Sequence, residues 1–99
     1  MTMDRDRVLQ ALRSKQAHIE EQYGLRIVGI IGSVARGEAT AESDIDVWVD
    51  IIRTPSLFEI SRAERDVGEA LGGAPVEFVF REDIRPSMRA RMERDFVPI

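Results

Sequence analysis

The sequence predicts an α+β (α/β) fold in which helices flank one small mixed β-sheet, and three patterns carry that prediction. Leu25 to Ile31 is a nearly continuous β-branched run, as expected of a strand covered on both faces. Asp44 to Ile51 alternates without a break, with Asp44, Asp46, Trp48 and Asp50 on one side and Ile45, Val47, Val49 and Ile51 on the other. Around these strands, apolar residues recur at the three- and four-residue steps of amphipathic helices.

The first helix spans about Asp4 to Gln22, apolar at Val8, Ala11, Leu12, Ile19 and Tyr23, and Gly24 is placed to cap its C-terminus. After the strand at 25–31, the small and polar segment from Gly32 to Ser43 reads as a tight turn, a short helix and a loop. The alternating strand follows, and Arg53 to Pro55 is a turn. Ser56 and Glu59 have the spacing of a capping box, opening a helix to about Leu71 with Ile60, Ala63, Val67 and Leu71 inward. Gly72-Gly73 ends it, and Pro75 to Phe80 is a third strand. A last helix covers about Pro86 to Arg94, before the apolar tail Phe96-Val97-Pro98-Ile99, read as a short edge strand or a docking tail. The order is α-β-(α)-β-α-β-α, with no internal repeat and no low-complexity tract.

Composition narrows the class of function. A chain of 99 residues fits one compact domain, here residues 1–99, and a domain this small gains from a partner. The sequence is compatible with a homo- or hetero-oligomer. With 43% hydrophobic and 32% charged residues it has the balance of a soluble globular protein. It has no cysteine and one histidine, so a bound metal must be a hard cation held by carboxylate oxygens. The net charge of −4 and the lack of an aromatic-basic surface argue against a nucleic-acid partner. Only Lys15 is a lysine among the 14 basic residues, a bias that suits phosphate binding but also fits genomic codon habit. No apolar run reaches membrane-spanning length and the N-terminus lacks a signal-peptide layout, which predicts a cytoplasmic protein without a membrane partner.

Three features carry chemistry. Gly32-Ser33 lies at a strand-to-helix junction, where a glycine lets backbone approach a ligand and helix-start amides bind anions. Taken alone, such a pair is more often just a turn. In Asp44-Ile45-Asp46, residues two apart on a strand share a face roughly 6–7 Å apart along the chain. Both carboxylates can then reach one divalent ion, or two ions about 4 Å apart; a bare Asp-x-Asp is more often a solvated strand face. Glu77 is an acid inside the apolar strand 76–80, costly to bury unless paired or metal-bound, and equally readable as an outward-facing residue.

From Gly32 to Asp46 the chain reads Gly-Ser-Val-Ala-Arg-Gly-Glu-Ala-Thr-Ala-Glu-Ser-Asp-Ile-Asp, with ten residues between Ser33 and Asp44. This resembles the signature of the DNA polymerase β-like nucleotidyltransferase superfamily. The stretches 32–38 and 43–49 resemble the minimal nucleotidyltransferase (MNT) family in particular, and the similarity extends over nearly the whole chain. The resemblance implies the polymerase β-like nucleotidyltransferase fold and Mg²⁺-dependent transfer of a nucleoside monophosphate, with one or two ions and Mn²⁺ able to substitute. By that resemblance Asp44, Asp46 and Glu77 are the catalytic and metal-binding set, and Gly32, Ser33, Arg36 and Ser43 line the nucleotide. Glu77 stands where the family usually has Asp, so its reach differs by a methylene. Arg36 either pairs with phosphate or braces its loop through an acid. The MNT resemblance further implies an antitoxin that uses ATP to add AMP to a tyrosine of a HEPN-family ribonuclease toxin. The competing reading is a catalytically weak or inactive module of this fold that neutralises its partner by contact alone, and Glu77 is the one feature that favours it.

The remaining residues have plainer readings. Trp48 could stack an adenine, but the area a tryptophan buries favours packing. His18 reads as solvated surface, Arg85, Arg89, Arg91 and Arg94 as an exposed helix face, and Met88 and Met92 as core or interface.

Overall fold

In the computed structural model, which describes residues 4–40 and 42–99, the elements appear in the expected order. Residues 1–3 and Ala41, the latter within the Gly32-to-Ser43 loop, lie outside the described residues. The first helix, α1 (Arg5–Tyr23), is capped by the Asp4 side chain, which accepts from the Asp6 amide, and closes at Gly24, whose amide donates to the Glu20 carbonyl. Strand β1 (Leu25–Ile31) runs into the one-turn helix α2 (Gly32–Ala35), and a loop leads to β2 (Ile45–Ile51). Helix α3 (Leu57–Ala70) opens on the expected capping box: Ser56 Oγ accepts from the Glu59 amide at 3.1 Å, while the Glu59 carboxylate accepts from the Ser56 amide at 3.0 Å. Strand β3 (Val76–Phe80), a 3₁₀ turn at Arg81–Asp83 that the sequence reading had not anticipated, helix α4 (Pro86–Asp95) and β4 (Val97–Pro98) complete the chain.

The strands form one mixed sheet in the order β3-β2-β1-β4, with β2 parallel to β3 and β1 antiparallel to both β2 and β4. Helices α1 and α3 lie together on one face. Val8, Leu12 and Ile19 of α1, Ala63 and Val67 of α3, and Ile45, Val47 and Val49 of β2 bury their side chains there. Each fully buried aliphatic side chain stabilises the fold by roughly 1.5–3 kcal/mol. Leu9 joins this core, while Ala11 is only half-buried. Across the helix pair, Tyr23 Oη donates to Asp66 at 2.6 Å, and the exposed His18 stands 3.4 Å from the same carboxylate.

A β-bulge in β1 determines what the other face carries. The register shifts between Ile27 and Gly29, so Val28 has no partner on β2. Before the bulge Leu25 and Ile27 face the core opposite Ile51 and Val49; after it Ile30 takes that role opposite Val47. The parity change turns Gly29 toward Trp48 and Ile31 toward Asp46 on the outer face. Trp48 is buried there, its ring edge-on to Phe96 at 5.1 Å between centroids and covered by the Arg81 guanidinium at 5.1 Å. Packing, not nucleotide stacking, accounts for this tryptophan.

The two sheet edges are closed differently. On one, β4 presses against Gly29: a Cβ there would stand 2.3 Å from the Val97 carbonyl oxygen and 2.7 Å from the Phe96 ring. On the other, the Phe78 amide of β3 donates to Glu64 Oε2 of α3 at 2.8 Å.

Gly29→Ala therefore forces β4 and Phe96 off the sheet. We expect a loss of about 1–3 kcal/mol in urea unfolding and a red-shifted emission from Trp48, the single tryptophan. Unchanged stability and emission would contradict this account of the tail.

Candidate active site

The outer-face acids are set by strand register. Asp46 of β2 pairs with Glu77 on one side and Ile31 on the other, so a carboxylate on β3 and the β1–α2 corner flank it. Adjacent strands lie about 4.8 Å apart, which brings the Asp46 and Glu77 side chains onto one patch of surface. Asp44 sits just ahead of β2, exposed, and Glu77 is exposed as well; Asp46 is half-buried.

The Gly32 corner touches Asp46 directly. Gly32 has φ +77°, a left-handed conformation that side chains rarely adopt, and a Cβ on it would stand 2.6 Å from Asp46 Oδ2. A glycine is thus required both by the turn and by the carboxylate packed against it. The first turn of α2, which Gly32 opens, has no side-chain cap, and helix-start amides without such a cap are suited to donate to an anion. Ser33 is half-buried, and its carbonyl accepts from the Glu38 amide at 2.9 Å to fix the loop. Ser43 braces the same loop from the far side: its hydroxyl accepts from the Thr40 amide at 2.9 Å.

Arg36 resolves toward bracing in this structure. Its guanidinium bonds to Glu38 and to Asp95 of α4, each at 3.0 Å. It remains partly exposed, and its positive charge still reaches Asp46. Two residues that the sequence reading missed take part here. Asp95 lies 59 positions from Arg36, so no local signal could have found it. Arg81 stands 3.4 Å from Asp50 and over Trp48, closing the outer face beyond the acids; it lies in the turn after β3, and no short-range pattern in the sequence points to that contact.

Electrostatics single out one acid. Burial pushes the Asp46 carboxyl above its usual value, and Glu77 and then Asp44 push it further, against a smaller opposing pull from Arg36. No hydrogen bond to the Asp46 carboxylate, among the described residues, offsets this. Among the described residues, no three acidic, histidine or cysteine side chains gather tightly enough to chelate an ion as they stand. The donor set nonetheless suits a hard divalent cation, since it is all oxygen, carries up to three negative charges and includes two exposed side chains free to rotate inward.

Comparison with known proteins follows the same lines. The family profile described as "Nucleotidyltransferase domain" matches residues 6–98. The protein adenylyltransferase MntA of Thermococcus cleftensis is 33% identical over 86 residues, 87% of this chain and 86% of that protein. A solved structure described as a "putative minimal nucleotidyltransferase" superposes with a TM-score of 0.76 at 30% identity, over 98% of this chain and 97% of the other. A crystal structure of a toxin–antitoxin with AMP-PNP shares the fold at a TM-score of 0.58 and 19% identity, over 87% of this chain and 64% of that one.

The raised Asp46 carboxyl has a consequence for stability. The folded chain holds a proton on Asp46 more readily than the unfolded chain does, so stability falls as pH rises from the ordinary aspartate value through the raised one. In EDTA, Asp46→Asn should therefore unfold at a higher temperature than the wild type at pH 7, and that advantage should vanish at about pH 4. A variant no more stable than the wild type at pH 7 would contradict the reading.

Proposed function

The chain belongs to the nucleotidyltransferase domain family, and on that premise we propose that residues 1–99 act as one domain that transfers AMP from ATP to a protein hydroxyl, with Mg²⁺ as cofactor. The acceptor is a tyrosine of a HEPN ribonuclease toxin, and the transfer makes this protein the antitoxin of a cytoplasmic pair. The observation that carries the proposal is the position of Asp46, half-buried between the Gly32 corner and Glu77. Two comparisons support the finer points: the name of the Thermococcus relative, a protein adenylyltransferase, and the fold shared with a toxin–antitoxin crystallised with AMP-PNP.

The placement of these residues supports a division of labour among them. Asp44 and Asp46 would hold the ion from the start of β2, and Glu77 would complete the ligand set from β3. Bound there, a divalent ion neutralises charge that develops on the phosphoryl oxygens. The α2 amides and the Ser33 hydroxyl grip the triphosphate, with Arg36 adding positive charge beside them. Ser43 keeps the intervening loop in the conformation that brings Gly32 against Asp46. Glu77, exposed and set away from the α2 corner, takes the proton from the incoming hydroxyl. It reaches this position with a longer side chain than the usual aspartate.

Incubation with α-labelled ATP, Mg²⁺ and the product of the neighbouring gene should place label on that protein. Asp44→Asn with Asp46→Asn should lower the transfer at least about a hundredfold, since both ion-holding groups are lost. If the double variant neutralises the partner as fully as the wild type, the chain acts by contact alone and the enzymatic proposal fails.

A further inference from the structure

Sheet order constrains the direction from which an acceptor can arrive. The triphosphate grip at Gly32-Ser33 lies on the β1 flank of Asp46, and Glu77 lies on the β3 flank. Phosphoryl transfer proceeds with the attacking and leaving oxygens roughly in line through phosphorus. If pyrophosphate departs toward α2, the attacking oxygen must enter from the β3 side. On that side the surface is not flat: a groove of about 340 Å³ runs between β3 and the start of α4. Glu77 and Phe80 bound it along the strand, and Ile84, Met88 and Met92 bound it across from them. Met88 is 49% exposed, and with Met92 it places two thioethers on a helix otherwise rich in arginines and polar residues.

We infer that this groove is the acceptor subsite, and that Ile84, Met88 and Met92 select an aromatic hydroxyl there; the inference rests on the proposed transfer to a protein. The wall chemistry favours that occupant. Methionine sulfur contacts aromatic rings favourably and adapts to their shape, while an aliphatic serine would leave the groove unfilled. The carboxylates of Glu77 and Asp83 outnumber the one guanidinium in the lining, that of Arg85, and disfavour a polyphosphate or nucleic-acid strand. A phenol ring seated against the methionines presents its oxygen toward Glu77. The phenolic proton passes to the Glu77 carboxylate and the oxygen bonds to the α-phosphorus. The bond from that phosphorus to the bridging oxygen breaks, and its electron pair leaves with pyrophosphate.

Methionine methyl groups give a direct readout. In protein carrying ¹³C-methyl methionine, the capped peptide Gly-Gly-Tyr-Gly-Gly at millimolar concentration should shift the Met88 and Met92 signals by ring current, and its serine counterpart should not. With α-labelled ATP and Mg²⁺ the same tyrosine peptide should accept AMP. Met88→Ala with Met92→Ala should raise its KM about tenfold, leaving kcat and the Kd for AMP-PNP within about twofold. Methyl signals that respond to AMP-PNP but not to the peptide would assign the groove to the adenine and overturn the inference, as would signals that respond to neither or to both peptides alike. Shifted signals without transfer would uphold the subsite and refute the adenylyltransferase reading; transfer with unmoved signals would do the reverse.

Discussion

A half-buried carboxylate pressed against a backbone corner is the constraint on which the site depends. Asp46 cannot move toward β1, because the Gly32 backbone occupies the space beside it, and it cannot ionise freely, because burial and two neighbouring acids oppose its charge. The fold tolerates this because the opposite face of the same strand is its best-packed surface: Ile45, Val47 and Val49 are all fully buried beneath α1 and α3. One strand thus carries the core on its odd positions and, on an even one, the acid whose charge is least favoured. Destabilisation stored on one side is outweighed by apolar burial on the other, a trade common where a site must be ready for a charged ligand.

The bulge at Val28 is the second half of that arrangement. Without a parity change, Leu25, Ile27 and the residues after them could not keep the core face and also deliver Gly32 beside Asp46. The glycine that follows the bulge then admits the tail strand, and the ring of Phe96, just before that strand, packs edge-on to Trp48. Chain segments far apart in sequence are thereby brought to one outer surface, acids at one end and an aromatic cluster in the middle.

These local and distant determinants differ in how legible they are in the sequence. The capping box at Ser56 and Glu59, the cap at Gly24 and the alternation from Ile45 to Ile51 are written into short windows, and each element sits within a residue or two of its expected bounds. That Glu77 joins Asp44 and Asp46 is implied by the family resemblance, and strand register sets Asp46 opposite Glu77. The bulge was hidden because an uninterrupted apolar run has no period from which a parity change can be read. The Arg36–Asp95 bond, the burial of Trp48 under Phe96 and the turn at Arg81–Asp83 depend on how α4 folds back over the sheet, which no window of a dozen residues contains.

The Glu64 contact carries an implication for how this small sheet meets other molecules. A border strand normally offers its main-chain donors to any passing extended segment, and small domains are exposed to runaway lateral growth by that route. Here one such donor is already occupied by an acid from the overlying helix, while the opposite border ends in a two-residue strand containing a proline, which has no amide to give. These two devices reduce the main-chain pairing that the sheet borders offer, and with it the sheet's capacity to act as a template for aggregation.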